Sequence, residues 1–204
     1  MADSALNDFR WTVPNVLTII RLVAVPIFAF MLLSHPHDQG WRIATTIVFL
    51  LAIVTDSFDG WYARRFDLVS NWGKIWDSIA DKALTGMAFL GLSIIGELPW
   101  VITLLILLRE WGITAMRFAI LKYGVMSANR GGKLKTVLQS LAIPLFLIGW
   151  WDGPEWFFWL KWILMGGAFA LTILTGLDYL WEAYKLRKAS IAAGGPVDIS
   201  QIRK

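Results

Sequence analysis

The chain of 204 residues is 57% hydrophobic, with a mean hydropathy of +0.58 and a formal net charge of +4. This composition is too apolar for an ordinary water-soluble domain and predicts a compact all-α integral membrane protein. There is no cysteine, which excludes disulfides and thiolate chemistry. The only histidines, His35 and His37, flank a loop proline, which argues against a histidine-centred metal or catalytic site.

Six apolar segments follow one another along the chain, each about long enough to cross a bilayer. They are residues 16–33, 41–64, 73–95, 100–121, 134–151 and 156–184. We expect six transmembrane helices in a single catalytic domain over residues 1–184, which starts with a short interfacial segment. Residues 185–204 are expected to form a basic, unstructured cytoplasmic tail.

Lysines and arginines in the loops and near the segment ends fall almost entirely on one side of the predicted topology, and only Arg42 and Lys161 fall on the other. Basic loops face the cytoplasm, so both termini are expected there, in a multi-pass protein of the plasma membrane. Several tryptophans, among them Trp41, Trp100 and Trp156, lie near the opposite face and are expected to act as interfacial anchors. This placement of charge indicates contact with anionic membrane lipids and not with a nucleic acid.

Two pairs of aspartates lie at the facing ends of the second and third segments. Asp56 and Asp59 are three residues apart, and Asp77 and Asp81 are four apart, so each pair lies on one helix face. A tight reversal between the helices would bring the four carboxylates to one point. Their mutual repulsion must then be relieved by protonation or by a bound cation. Oxygen ligands suit Mg²⁺ first and Mn²⁺ or Ca²⁺ next. Four carboxylates suit two ions about 3.5–4 Å apart, a spacing that clamps phosphoryl groups.

Small residues and one arginine accompany the aspartates. Gly60, Ala63 and Gly73 would let a bulky ligand such as a nucleotide approach the backbone. Arg64 offers a planar donor fork to a phosphate. Paired intramembrane acids also occur in cation transporters, but a transporter leaves these four residues unexplained.

The pattern D-x2-D-G-x2-A-R-x8-G-x3-D-x3-D runs from Asp56 to Asp81 without a gap. It resembles the signature of the CDP-alcohol phosphotransferase family. The resemblance implies that family's fold, a homodimer, and a reaction in which an alcohol attacks a CDP-linked lipid and CMP leaves. It also implies that the four aspartates hold the metal ions, that Asp81 is the general base, and that the small residues and Arg64 hold the cytidine nucleotide.

A second group of charges points to the acceptor alcohol. Its members lie on the fourth segment, in the following loop or at the start of the fifth segment: Arg109, Arg117, Arg130, Lys133 and Lys135. Arg109 lies inside an apolar run, where a buried charge is costly, and its neighbour Glu110 points to a different helix face, which argues against a pair. The group predicts a pocket for a phosphate-bearing alcohol. The alternative is the ordinary positive charge of cytoplasmic loops.

Three flanking segments are similar to bacterial phosphatidylglycerophosphate synthases, members of the same family that use glycerol 3-phosphate. They are residues 13–21, 108–111 and 132–136, the last with Gln139. This resemblance implies transfer of the phosphatidyl group from CDP-diacylglycerol to glycerol 3-phosphate. Inositol phosphate and phosphatidylglycerol remain open as acceptors within the family.

Overall fold

The computed structural model describes residues 12–66, 71–120 and 130–193, and it contains helices but no strand within these ranges. The all-helical prediction is confirmed, and each predicted segment coincides with a helix. The helices are α1 Val13–Ser34, α2 Gln39–Arg65, α3 Asn71–Ile94, α4 Trp100–Ile120, α5 Arg130–Leu147 and α6 Glu155–Ala193.

Three of these helices are long and apolar enough to cross a membrane by length and composition. The spans are Val13–Ser34, Gln39–Tyr62 and Glu155–Ile191. The sequences of α3, α4 and α5 are interrupted by charged residues, several of which belong to the predicted site. Crossing of the membrane by these three helices stays a prediction.

Local sequence accounts for several helix ends. Pro14 lies in the first turn of α1, where its missing N–H has no intrahelical partner to lose. The side chain of Asp38 caps α2 by accepting a hydrogen bond from the Trp41 N–H at 2.9 Å. Beyond the ends of α3 and α5, Gly96 and Gly149 adopt φ angles of 78° and 60°, the left-handed region that glycine tolerates best.

The last helix continues past Tyr184 to Ala193. The prediction of an unstructured tail is therefore wrong for residues 185–193, which are helical. Lys185 and Lys188 lie exposed on this extension. Residues 194–204 lie outside the described part of the chain.

The chain divides into two compact units, and the first comprises Met1–Pro99 and Ile143–Pro154. In this unit α1 packs against both α2 and α3. The core includes Phe28 and Leu32 of α1, which are fully buried. A Cβ atom on Gly91 of α3 would lie 2.5 Å from Leu32 Cδ2, so glycine at this position allows the close approach of α1 and α3.

Arg42 has a structural role in the first unit. Its side chain is 1% exposed, and its guanidinium binds the carboxyl end of α5. Nε donates to the Leu147 carbonyl at 2.7 Å and Nη2 to the Phe146 carbonyl at 2.6 Å. Arg42 therefore caps carbonyl groups that the end of a helix leaves without intrahelical partners.

The second unit comprises Trp100–Ala142 and Glu155–Lys204, and within it α4 packs along α6. Ile106 and Ile113 of α4 and Met165 and Ala168 of α6 are buried in this unit. A Cβ atom on Gly176 of α6 would lie 3.2 Å from Arg109 Cγ. The lack of a side chain at Gly176 thus leaves room for the Arg109 side chain beside α6.

Candidate active site

A buried polar stripe runs along α1. Asn15, Thr18 and Arg21 are three residues apart and are 1%, 2% and 2% exposed. Their spacing places them on one face of the helix. The Thr18 hydroxyl donates to the Pro14 carbonyl within α1, whereas Arg21 reaches out to the neighbouring helices. This apolar helix therefore carries a single buried cation into the first unit.

Arg21 contacts three of the four predicted aspartates. Its Nη2 donates to Asp59 Oδ2 at 2.6 Å, and its Nη1 donates to Asp77 Oδ1 at 2.8 Å. The same Nη1 lies 2.7 Å from Asp56 Oδ1. One guanidinium thus joins α1 to two carboxylates of α2 and one of α3.

Asp56, Asp59 and Asp77 form a group that could hold a metal ion. One carboxylate oxygen from each lies within 4.8 Å of the other two. The side chain of Asp59 is 3% exposed, whereas those of Asp56 and Asp77 are 34% and 39% exposed. Three carboxylates around one guanidinium leave an excess of negative charge, and hard oxygen ligands suit a divalent cation. The residues present therefore fit the predicted metal site.

Asp81 lies one turn beyond Asp77 on α3 and does not belong to this group of three. Its side chain is exposed, and its negative charge repels that of Asp56. The sequence predicts four carboxylates around one point, and the structure brings together three. A separate, solvent-accessible position for the fourth is compatible with a role other than permanent metal ligation.

The residues predicted to hold a nucleotide lie on the same two helices as the aspartates. Gly60 of α2 and Gly73 of α3 are half-buried. The side chains of Ala63 and Arg64 lie outside the described part of the chain, so their predicted roles stay predictions.

The second unit contains a partly buried cluster of charged side chains built around Glu110 of α4. Arg109 Nη1 donates to Glu110 Oε1 at 3.3 Å, and Lys135 Nζ of α5 donates to the same oxygen. Arg109 Nη2 also donates to the Thr175 hydroxyl of α6 at 2.9 Å, and its guanidinium lies over the Tyr179 ring. The sequence-based argument against an Arg109–Glu110 pair is wrong, because the two side chains are long enough to meet although they leave the helix at adjacent positions.

The remaining members of the basic group differ in their exposure. Lys133 is exposed, whereas Lys135 is 3% exposed. Gln139, one turn beyond Lys135, is 7% exposed, and its Nε2 has no hydrogen-bond partner among the described residues. The side chains of Arg117 and Arg130 lie outside the described part of the chain.

Arg21 is the site residue to which the sequence assigned no role. A charged arginine within an apolar segment is energetically costly unless it is paired. The presence of Arg21 in such a segment was therefore the signal in the sequence that it has a partner. The spacing of Asn15, Thr18 and Arg21 strengthens that signal, because it marks one polar face on an otherwise apolar helix. The partners of Arg21 lie 38 and 56 residues away and could not be read from local spacing.

Comparison with known proteins identifies the class. The chain belongs to the CDP-alcohol phosphatidyltransferase family, whose model matches residues 11–174. The predicted family is thereby confirmed.

Individual relatives are similar over most of their length. The chain is 42% identical over 172 residues to the probable phosphatidylglycerophosphate synthase of Mycobacterium tuberculosis H37Rv, covering 84% of this chain and 81% of that one. It is 32% identical over 190 residues to the CDP-diacylglycerol–glycerol-3-phosphate 3-phosphatidyltransferase of Bacillus subtilis, covering 86% and 98%. It is 36% identical over 169 residues to the Rickettsia typhi protein of the same name, covering 81% and 93%.

Proposed function

We propose that this protein transfers the phosphatidyl group of CDP-diacylglycerol to glycerol 3-phosphate, giving phosphatidylglycerophosphate and CMP. The observation that carries the proposal is the convergence of Asp56, Asp59 and Asp77 in a chain of this family. The names of its relatives in several bacteria support glycerol 3-phosphate as the acceptor.

The metal site of the proposal consists of Asp56, Asp59 and Asp77, with Asp81 as a further ligand when substrate is present. Mg²⁺ or Mn²⁺ is the expected ion, and two ions fit the charge of a pyrophosphate. When bound, the ions would neutralise the pyrophosphate and the departing CMP. The buried position of Asp59 anchors the site, and the half-exposed Asp56 and Asp77 admit ions from outside.

Asp81 serves as the general base of the proposed reaction. It accepts the proton of the acceptor hydroxyl while that oxygen bonds to the phosphorus next to diacylglycerol. The bond from this phosphorus to the CMP oxygen breaks, and CMP leaves with the electron pair. The exposed position of Asp81 outside the group of three supports this role, because a base must reach a hydroxyl that arrives from water.

Gly60, Ala63, Arg64 and Gly73 form the proposed nucleotide site. The two glycines lie on the helices that carry the aspartates, so a nucleotide held there would have its pyrophosphate close to the carboxylates. The Arg64 guanidinium would bind a phosphate through two parallel hydrogen bonds.

The acceptor phosphate is assigned to the basic group of the second unit, comprising Arg109, Arg117, Lys133 and Lys135. The exposed Lys133 offers an accessible charge, and the partly buried Arg109 and the buried Lys135 are held by Glu110. The same chemistry would suit inositol phosphate, which is the second candidate acceptor. Phosphatidylglycerol would need a site for a second lipid.

In the proposed topology, the protein crosses the plasma membrane six times, with both termini and the active site on the cytoplasmic side. The lysine and arginine bias of the loops supports this orientation. CDP-diacylglycerol would enter from the membrane and glycerol 3-phosphate from the cytoplasm. A homodimer is proposed on family resemblance.

Release of CMP tests the function directly. Purified protein in detergent is given CDP-diacylglycerol and Mg²⁺, with glycerol 3-phosphate, inositol phosphate, serine or phosphatidylglycerol in parallel. Release with glycerol 3-phosphate alone is expected. Release with a different acceptor would retain the reaction class and overturn the acceptor, and no release from folded protein with any acceptor would contradict the transferase proposal.

A further inference from the structure

The two terminal nitrogens of the Arg21 guanidinium, Nη1 and Nη2, have different surroundings. Nη2 binds Asp59, whose side chain is 3% exposed. Nη1 lies between Asp56 and Asp77, whose side chains are 34% and 39% exposed. One end is therefore held in the interior of the unit, and the other end bridges two carboxylates at the accessible side of the site.

The bridging nitrogen contacts one oxygen of each of the two more exposed carboxylates. Nη1 lies 2.7 Å from Asp56 Oδ1 and 2.8 Å from Asp77 Oδ1. An ion bound to these same two oxygens would lie about 2.0–2.6 Å from them, depending on its identity. The nitrogen and the ion would then be in contact with each other, and two cations at such a distance repel strongly.

We propose that Arg21 is a resident cation of the aspartate site, and that metal binding displaces its Nη1 end from Asp56 and Asp77. The Nη2 contact with Asp59 is retained and acts as the pivot. Before metal binds, the guanidinium holds the three carboxylates together and limits their repulsion. Arg21 is thus a positioning residue that sets the metal affinity of the site by competing for it, and this inference rests on the proposed metal site.

Binding of Mn²⁺ alone tests the competition without any catalytic readout. Free Mn²⁺ is measured by electron paramagnetic resonance in detergent solutions of the wild type and of Arg21→Gln. Removal of a positive charge next to the site is expected to tighten Mn²⁺ binding by about tenfold or more. The metal-free variant is also expected to unfold at a lower temperature, and Mn²⁺ should raise its unfolding temperature by more degrees than that of the wild type.

Arg65→Gln is the matched control, because it removes the same charge from an exposed position on the last turn of α2. Its Mn²⁺ affinity is expected to stay within about twofold of the wild type. If Arg21→Gln does not fold, Arg21→Lys carries the test. Lysine keeps the charge but lacks the planar fork that contacts three carboxylates, so a severalfold tighter affinity is expected.

Unchanged or weaker Mn²⁺ binding by the folded Arg21 variants would overturn the competition, while leaving the metal site of the wild type intact. Failure of the wild type to bind Mn²⁺ at all is a different result. It would contradict the proposed metal site itself and the inference with it.

Discussion

At the scale of single residues, Arg21 and Glu110 have comparable positions in their units. Each binds several groups of opposite charge, and each joins helices that are separated in the sequence. Buried charges are costly unless they are paired and hydrogen-bonded. The two residues therefore hold neighbouring charged side chains in defined positions within an apolar chain.

Replacement of Asp59 by asparagine tests the metal-ligand role at the most buried aspartate. The substitution conserves shape and removes the charge, so CMP release is expected to fall by at least about a hundredfold, with weaker Mn²⁺ binding. Asp152→Asn, in the exposed loop before α6, is the matched control and should keep its activity. Full activity of the Asp59 variant would remove it from the site.

Lys133 and Lys135 test the acceptor site in different ways because of their different burial. Lys133→Ala is expected to raise the KM for glycerol 3-phosphate about tenfold or more, with little change in the KM for CDP-diacylglycerol or in stability. Lys135→Met leaves Glu110 without this partner and is expected to lower the free energy of unfolding by about 1–3 kcal/mol. Steady-state kinetics and thermal unfolding measure the two effects. Equal increases of both KM values in the Lys133 variant would argue against its role.

At the scale of the helices, α1 determines the geometry of the aspartate site. Its polar stripe supplies Arg21, and its apolar residues pack against α3 where Gly91 faces Leu32. The distance between α1 and α3 therefore controls the contact between Arg21 and Asp77.

Gly91→Val tests this packing. The added side chain would overlap Leu32, which is fully buried, so a loss of about 1–3 kcal/mol in stability is expected, together with reduced activity. Gly166→Val of α6 is the matched control, because a Cβ atom there meets nothing within 4 Å. Thermal unfolding of both variants in the same detergent measures the difference, and equal changes in the two variants would contradict a specific cost of the contact with Leu32.

At the scale of the whole molecule, the candidate sites occupy two units of one chain. The aspartates belong to the first unit and the Glu110 cluster to the second. Each candidate site is therefore built from side chains of one unit. A charge-rich site in so apolar a chain also requires access to water on one side of the membrane.

The proposed six-crossing topology predicts opposite accessibility for two exposed positions. The chain has no cysteine, so Asp152→Cys and Lys188→Cys each introduce a single thiol. In intact cells a membrane-impermeant maleimide should label Asp152→Cys, in the loop before α6, and should label Lys188→Cys only after the membrane is opened. Labelling of both variants in intact cells would contradict the topology.

Much of the candidate site could be predicted because the residues that form it lie close together in the sequence. The aspartate pattern from Asp56 to Asp81 lies within two adjacent helices, and it led to the family that the comparisons confirm. The partner of Glu110 could not be predicted in this way, because Lys135 lies on another helix. The exclusion of Asp81 from the group of three also depended on how α3 is rotated against α2, which spacing along α3 does not specify.

The sequence by itself determined the helices, the apolar character of the chain and the residues that share one helix face. These properties follow from hydrophobic composition and from the periodicity of a single helix. Only the tertiary structure decided which faces meet. The packing of α1 against α2 and α3 brings Arg21 to Asp59 and Asp77, and that contact depends on side chains distributed over three helices.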